Sequence, residues 1–272
     1  MLIKRLLVVI VLLPIGLLVI HLGGVAFFAV VALFIGLASW EYVSLFRAGG
    51  LEPASALVVM GGLSLVIGRA INGFESAPWV ICLLVIASMT YHLVAYERGR
   101  DQAGTDFSVT MAGALYAGWL GAYLISLRQL PDGEWWFLVV LPGVWLADSG
   151  AYFVGKKYGH HKLSPRLSPH KTWEGYLAGI ITGMIGTALL AALWRIGAGP
   201  GSAITYQKGA LLGTLLAIIT PLGDLGESMI KRQVGKKDSS NLIPGHGGAF
   251  DRIDSWLWAA PIGYYTIIWF LL

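Results

Sequence analysis

Nine apolar runs fill most of this chain, at residues 6–22, 24–46, 55–71, 79–96, 108–127, 135–154, 175–194, 209–230 and 256–272. A helix crosses the hydrocarbon core of a bilayer with ~20 apolar residues, so each run is a candidate span. Hydrophobic residues make up 56% of the chain and charged residues only 12%. A soluble domain carries about 25% charged residues, and a disordered chain combines low hydrophobicity with high charge, so both classes are excluded. The pattern predicts an all-α, polytopic integral membrane protein of about nine transmembrane helices, forming one integral domain. The 36 glycines and 11 tryptophans suit that class, because glycine lets membrane helices approach and tryptophan settles at the interfaces. The first run follows Lys4 and Arg5, as a secretory signal would, but it lacks a clear small-residue cleavage site and a second span follows at once. It is read as a retained helix.

The basic residues orient the spans. With a cytoplasmic N-terminus, inside segments hold 15 Lys and Arg, and outside segments hold 4, namely Arg69, Arg128, Arg195 and Lys208. An excess of Lys and Arg on the cytoplasmic side is the expected asymmetry. Removing one span would scramble it, so the split supports both count and orientation, and it places the C-terminus outside. The lone cysteine, Cys82, has no partner for a disulfide or a thiolate metal site and reads as a small buried hydrophobe.

Polar chemistry is concentrated in the second half. Residues 1–140 are mostly bare spans, whereas 141–272 combine C-terminal spans with two inside loops, 156–174 and 231–255, that hold ten of the 19 basic residues. Both loops are rich in Gly, Pro and Ser and are expected to be irregular. Within the sixth run, Asp148 interrupts the apolar sequence Trp145-Leu-Ala-Asp148-Ser-Gly-Ala-Tyr152. A carboxylate at mid-span costs about 2.5–3.5 kcal/mol on insertion scales, so it should face a polar cavity or a cation; a helix-packing hydrogen bond is the competing reading. Gly150-x4-Gly155-Lys156 nearly matches a phosphate-cradling loop, but Lys157 stands where Ser or Thr is needed and a membrane helix precedes it. The loop Lys162-Leu-Ser-Pro-Arg166-Leu-Ser168-Pro-His170-Lys171-Thr172-Trp-Glu174 is basic until its end and leads into an apolar helix. Such a segment attracts phosphates or anionic headgroups, and the amides of a helix start add to phosphate binding.

The densest polar segment runs from Pro221-Leu-Gly-Asp224-Leu-Gly-Glu227-Ser228-Met-Ile-Lys231-Arg232 through Lys236-Lys237-Asp238-Ser239-Ser240 to His246-Gly-Gly-Ala-Phe-Asp251-Arg252-Ile-Asp254. Helical spacing places Asp224, Glu227, Ser228 and Lys231 on one face, and Asp251 and Asp254 are three apart. Carboxylates among many cations suit a divalent metal with phosphate, and oxygen-only ligands favour Mg²⁺ or Mn²⁺; mutual ion pairing is the competing reading. His246 is read as a phosphate or backbone organiser, or as a turn residue.

The run from Ser228 to Asp254 resembles the signature of the phosphatidate cytidylyltransferases, also called CDP-diacylglycerol synthases, as do Ala147-Asp148-Ser-Gly-Ala-Tyr-Phe-Val-Gly155 and Leu163-Ser-Pro-Arg-Leu-Ser168-Pro-His-Lys171-Thr172-Trp-Glu-Gly175. Ala249 departs from the larger aliphatic residue usual in that family. The resemblance implies a bacterial-type enzyme of the cell inner membrane, its active site facing the cytoplasm. It would join CTP and phosphatidate into CDP-diacylglycerol and pyrophosphate with Mg²⁺, a monovalent cation such as K⁺ being associated with the site. It also implies a homodimer embedded in membrane lipid and no nucleic-acid partner. By motif, Asp224 and Asp251 are the implied metal ligands, converging on one ion. Asp148, Lys171, Lys237, Asp238 and His246 are candidate catalytic residues, and Ser168, Thr172, Ser228, Lys231, Arg232 and Arg252 are candidate substrate-binding residues. Phosphoryl-type transfer needs alignment and charge neutralisation more than covalent protein chemistry, and the attacking phosphate is already anionic, so no strong base is required. Two rivals from other classes are a transporter, which would need charges at several membrane depths, and a transferase using a CDP-alcohol donor, whose dense Asp array is missing.

Overall fold

Where the sequence alternates apolar runs with short polar joints, the protein alternates helices with turns. A computed structural model describes the backbone of residues 2–242 and 247–272, and the side chains of these except residues 2–9, 11 and 12. The helices are α1 (Leu2–Leu22), α2 (Gly24–Ala48), α3 (Ser55–Asn72), α4 (Ala77–Glu97), α5 (Ala103–Gly113), α6 (Leu120–Gln129), α7 (Gly133–Tyr158), α8 (Trp173–Ala198), α9 (Tyr206–Ile219), α10 (Pro221–Gln233) and α11 (Phe250–Thr266). A π-helical segment, Ala114–Trp119, joins α5 to α6, and another, Ile267–Leu271, prolongs α11. Among the described residues, seven helical stretches are long and apolar enough to cross a membrane. The two expected spans outside that set are the first, α1, and the last, α11, which carries Pro261 and has a polar first turn before continuing as a π-segment. The protein is an all-α, multi-pass membrane protein.

The chain divides into two packed units. The first comprises residues up to Ser126 together with Ile230–Ile253. Its helices α3 and the π-segment cross closely, since a Cβ on Gly118 would lie 2.9 Å from the Gly62 carbonyl oxygen. Arg69, counted from sequence as an outside-loop charge, is instead buried within α3. Its guanidinium lies 3.5 Å from the Phe74 ring centre, 4.8 Å from Trp119 and 4.7 Å from Tyr123, and it donates to Ser126 Oγ at 2.7 Å. Stacking on aromatic faces and a hydrogen bond replace water around this cation. Asp106, also buried, accepts from the Glu52 amide at 2.8 Å and from Arg100 Nε at 2.7 Å, which ties the α2–α3 connection to the start of α5.

The second unit comprises Leu127–Met229 and Asp254–Leu272. Small residues let α7, α8 and α9 pack backbone to backbone: a Cβ on Gly175 would lie 2.6 Å from the Ala151 carbonyl oxygen and 3.0 Å from Gly155 Cα. Pro142 removes one amide from α7 and frees the carbonyl four residues before it, and the Trp194 indole of α8 donates to that Leu138 oxygen at 3.1 Å. The loop after α7, expected to be irregular, forms a two-stranded antiparallel hairpin, β1 (Lys162–Ser164) and β2 (Ser168–Thr172), with Lys162 opposite Thr172 and Ser164 opposite Ser168. Pro165 opens its turn, at the position where a fixed φ is favoured.

Candidate active site

The hairpin delivers its last two residues to the start of α8. Thr172 caps that helix, its Oγ1 accepting from the Gly175 amide at 3.2 Å, which satisfies one of the helix's orphan donors. Glu174 reaches back to His161, accepting from its amide at 3.1 Å and lying 2.6 Å from its Nδ1. His161, exposed just before β1, is thereby tied to the start of α8. So fixed, Lys171 Nζ makes an ion pair with Asp224 Oδ2 on the first turn of α10.

Asp224 is aimed by a break in the polypeptide. Pro221 stops α9 from continuing, and the turn is completed by the Gly223 amide donating to the Thr220 carbonyl at 2.9 Å. The Tyr176 hydroxyl of α8 donates to the Ile218 carbonyl at 2.8 Å, just ahead of the break. Gly223 packs where a Cβ would lie 2.7 Å from the Trp258 ring and 2.8 Å from the Asp254 carbonyl, which brings α10 against α11.

These elements enclose a cavity of about 580 Å³ lined by Asp148, Lys156, Lys162, His170, Lys171, Thr172, Tyr176 and Asp224, among others. Its volume is in the range of small-molecule sites. Three of its lining residues are lysines and two are aspartates, and its polar residues come from α7, the hairpin, α8 and α10. Asp148 thus opens onto a polar cavity, as a carboxylate within an apolar helix requires. Asp224 also belongs to a second grouping: ligand oxygens of Asp224, Glu227 and Asp254 all lie within 4.8 Å of one another. Glu227 is buried and Asp254 nearly so. Three carboxylates this close repel one another unless a cation or protons intervene, and an all-oxygen donor set suits a hard divalent ion such as Mg²⁺ or Mn²⁺, so the residues fit the ion that the motif implies.

The remaining expected residues fall elsewhere. Ser168 begins β2, and Ser228 lies half-buried on α10. In the first unit, Asp251 Oδ1 takes Lys231 Nζ at 2.7 Å. Asp251 Oδ2 accepts from the Ser239 amide at 2.9 Å, the Ser239 hydroxyl at 2.8 Å and the Gly248 amide at 2.8 Å. Arg232, Lys237, Asp238 and Arg252 are exposed. His246 lies outside the described residues.

Two residues in these networks were missed from sequence. Tyr176 gave no signal among many apparently lipid-facing aromatics. Glu41, fully buried in α2, did give one, since it is an acid within an apolar run, the same feature that singled out Asp148.

The model of the cytidylyltransferase family matches residues 3–270. A phosphatidate cytidylyltransferase of Pseudomonas aeruginosa is 36% identical over 279 residues, covering 99% of this chain and 97% of the relative. One from Synechocystis is 33% identical, covering 91% and 90%, and one from Bacillus subtilis is 33% identical, covering 95% and 90%.

Proposed function

This chain belongs to the cytidylyltransferase family, and from that premise we propose that it transfers the cytidylyl group of CTP to phosphatidate, yielding CDP-diacylglycerol and pyrophosphate. A nucleotidyltransferase embedded in a membrane must bring a charged triphosphate to a lipid headgroup. The observation that carries the reading is the cavity in which Lys171 faces Asp224, with Asp224 shared by a three-carboxylate cluster. Cations for phosphate oxygens and an oxygen cage for a divalent ion stand side by side.

In the reaction, a phosphatidate phosphate oxygen attacks the α-phosphorus of CTP. One P–O bond forms, the α–β anhydride bond breaks, and pyrophosphate carries away the electron pair. Lys171, with Lys156 and Lys162, lines the cavity and neutralises phosphate oxygens. Thr172, which caps α8, lines the cavity beside Gly175. Asp224, with Glu227 and Asp254 beside it, would hold Mg²⁺, with Mn²⁺ as an alternative. When bound, such an ion supplies neutralisation of the triphosphate charge. Lys171 exchanges its resting partner Asp224 for phosphate as the substrate arrives. Asp148 orients Lys171 within the cavity. Asp251 enters as a metal-binding aspartate on the motif alone, as do a monovalent cation such as K⁺, a homodimer, and an active site on the cytoplasmic face of the inner membrane. The attacking group is anionic, so no residue is assigned as general base.

Purified protein with labelled CTP, phosphatidate and Mg²⁺ tests the reading. A lipid-linked cytidine product that requires both substrates is the expected result. Its absence under conditions where the protein stays folded and binds CTP would refute it.

A further inference from the structure

Glu41 is fully buried in α2, inside an apolar run where a carboxylate is costly unless its oxygens are satisfied. Four donors satisfy them, from residues 239, 240, 249 and 250. Oε1 accepts from Ser240 Oγ at 2.6 Å and from the Ala249 amide at 3.0 Å. Oε2 accepts from Ser239 Oγ at 2.9 Å and from the Phe250 amide at 2.8 Å. The two amides stand at the start of α11, where helix donors have no partner of their own and a negative charge complements the helix dipole. The carboxylate of one helix therefore caps another that is some two hundred residues away in sequence.

The contact continues to Asp251. Ser239 Oγ lies between Glu41 Oε2 and Asp251 Oδ2, at 2.9 and 2.8 Å, with one proton for both. Asp251 in turn holds the Ser239 and Gly248 amides and the Lys231 ammonium. The space is closed to side chains: a Cβ on Gly248 would lie 2.6 Å from Glu41 Cδ and would also meet the Ser239 hydroxyl. An amide cannot replace this carboxylate, because its NH₂ would turn a donor toward donors.

We propose that Glu41 is a positioning residue for the transfer reaction: it fixes Ser239 and Ser240 against the start of α11 at Ala249 and Phe250 and, through Ser239, the Asp251–Lys231 pair. Its activity arm rests on the cytidylyl-transfer reading; its structural arm does not.

The experiment combines hydrogen exchange with steady-state kinetics on the full chain in detergent micelles. In Glu41→Gln, amides in peptides covering 247–252 are expected to exchange at least about tenfold faster, with kcat reduced by about tenfold or more, each tenfold being about 1.4 kcal/mol. Glu41→Asp, which keeps the charge on a shorter arm, is expected to recover part of both. Should Glu41→Gln fail to fold, Ser240→Ala removes one of the four donors and is expected to lower kcat by about two- to fivefold with faster exchange in the same peptides. Unchanged exchange in the soluble variant overturns the grip on α11. Faster exchange with unchanged kcat overturns the positioning role. A parent protein that makes no lipid-linked cytidine sinks the transfer reading instead, and the exchange arm still decides whether Glu41 grips the segment.

Discussion

Replacing Asp224 by Asn separates the metal reading from simple ion pairing, because the two predict opposite signs for stability. Ligand oxygens of Asp224, Glu227 and Asp254 lie within 4.8 Å of one another. At that separation and an effective dielectric of about 20, each like-charged pair costs about 3.5 kcal/mol. The Asp224 side chain is 36% exposed, so solvent screening reduces this to about 1–2 kcal/mol per pair. Asp224→Asn relieves two such pairs and forfeits the Lys171 contact, which as a part-exposed ion pair contributes about 1 kcal/mol at most. In a chelator, then, the variant should be as stable as the parent or more so by about 1–3 kcal/mol, seen as a midpoint raised by a few degrees in detergent thermal unfolding. The parent should gain about 2.7 kcal/mol from Mg²⁺ at a hundredfold excess over its dissociation constant, and the variant should lose most of that gain. Turnover should fall by at least about a hundredfold. A variant that is less stable than the parent in chelator and keeps the parent's Mg²⁺ shift would refute the carboxylate cluster as an ion site. Near-normal Mg²⁺-dependent turnover would do the same.

Three further outcomes follow from the cavity and its supports. Lys171→Ala should lower kcat/KM for CTP or phosphatidate by about ten- to a hundredfold, the range for losing a hydrogen bond to a charged group; unchanged dependence on both substrates would make this lysine a surface charge. Tyr176→Phe removes the donor to the Ile218 carbonyl ahead of the α9–α10 break and should cost about 1–2 kcal/mol of stability with a lower kcat, measured by unfolding and turnover together. Gly175→Ala would press a methyl against the Ala151 carbonyl and Gly155; overpacking costs about 1–3 kcal/mol, and a midpoint equal to the parent's would show that α7 and α8 separate freely.

Span count was legible because it depends on local composition alone, and seven of the nine expected runs return as helices that satisfy length and apolarity by themselves. The last run differs for reasons visible in its residues: α11 begins with Asp251, Arg252 and Asp254 and contains Pro261, so its apolar part is short. The hairpin at 162–172 was not legible. Gly, Pro and Ser mark turns but do not reveal whether flanking residues pair, and a two-stranded ribbon of this length is marginal by itself. Here its exit is tied down by Thr172 and Glu174 at the α8 start, contacts that no periodicity announces.

The site shows the same division more sharply. Asp148 was found because charge is rare inside an apolar run, Lys171 and Asp224 through the polar motifs that resemble the family's, and the cavity gathers all three. Glu227 and Asp254 were visible as helically spaced acids, yet spacing along two helices does not say that their oxygens meet Asp224; that depends on Gly223 letting α10 lie against Trp258 and the Asp254 carbonyl. Glu41 is the instructive case. Its position in an apolar run carried the same cost that drew attention to Asp148, but its neighbours in sequence are apolar, and its four donors come from residues 239, 240, 249 and 250. A buried acid without local partners predicts distant ones, since an unsatisfied carboxylate would cost several kcal/mol. In a chain with 15 acids, asking of each intramembrane carboxylate which donors it must find is therefore a stronger filter than matching motifs. It selects Asp106 as well, whose partners at Glu52 and Arg100 lock the loop before α3.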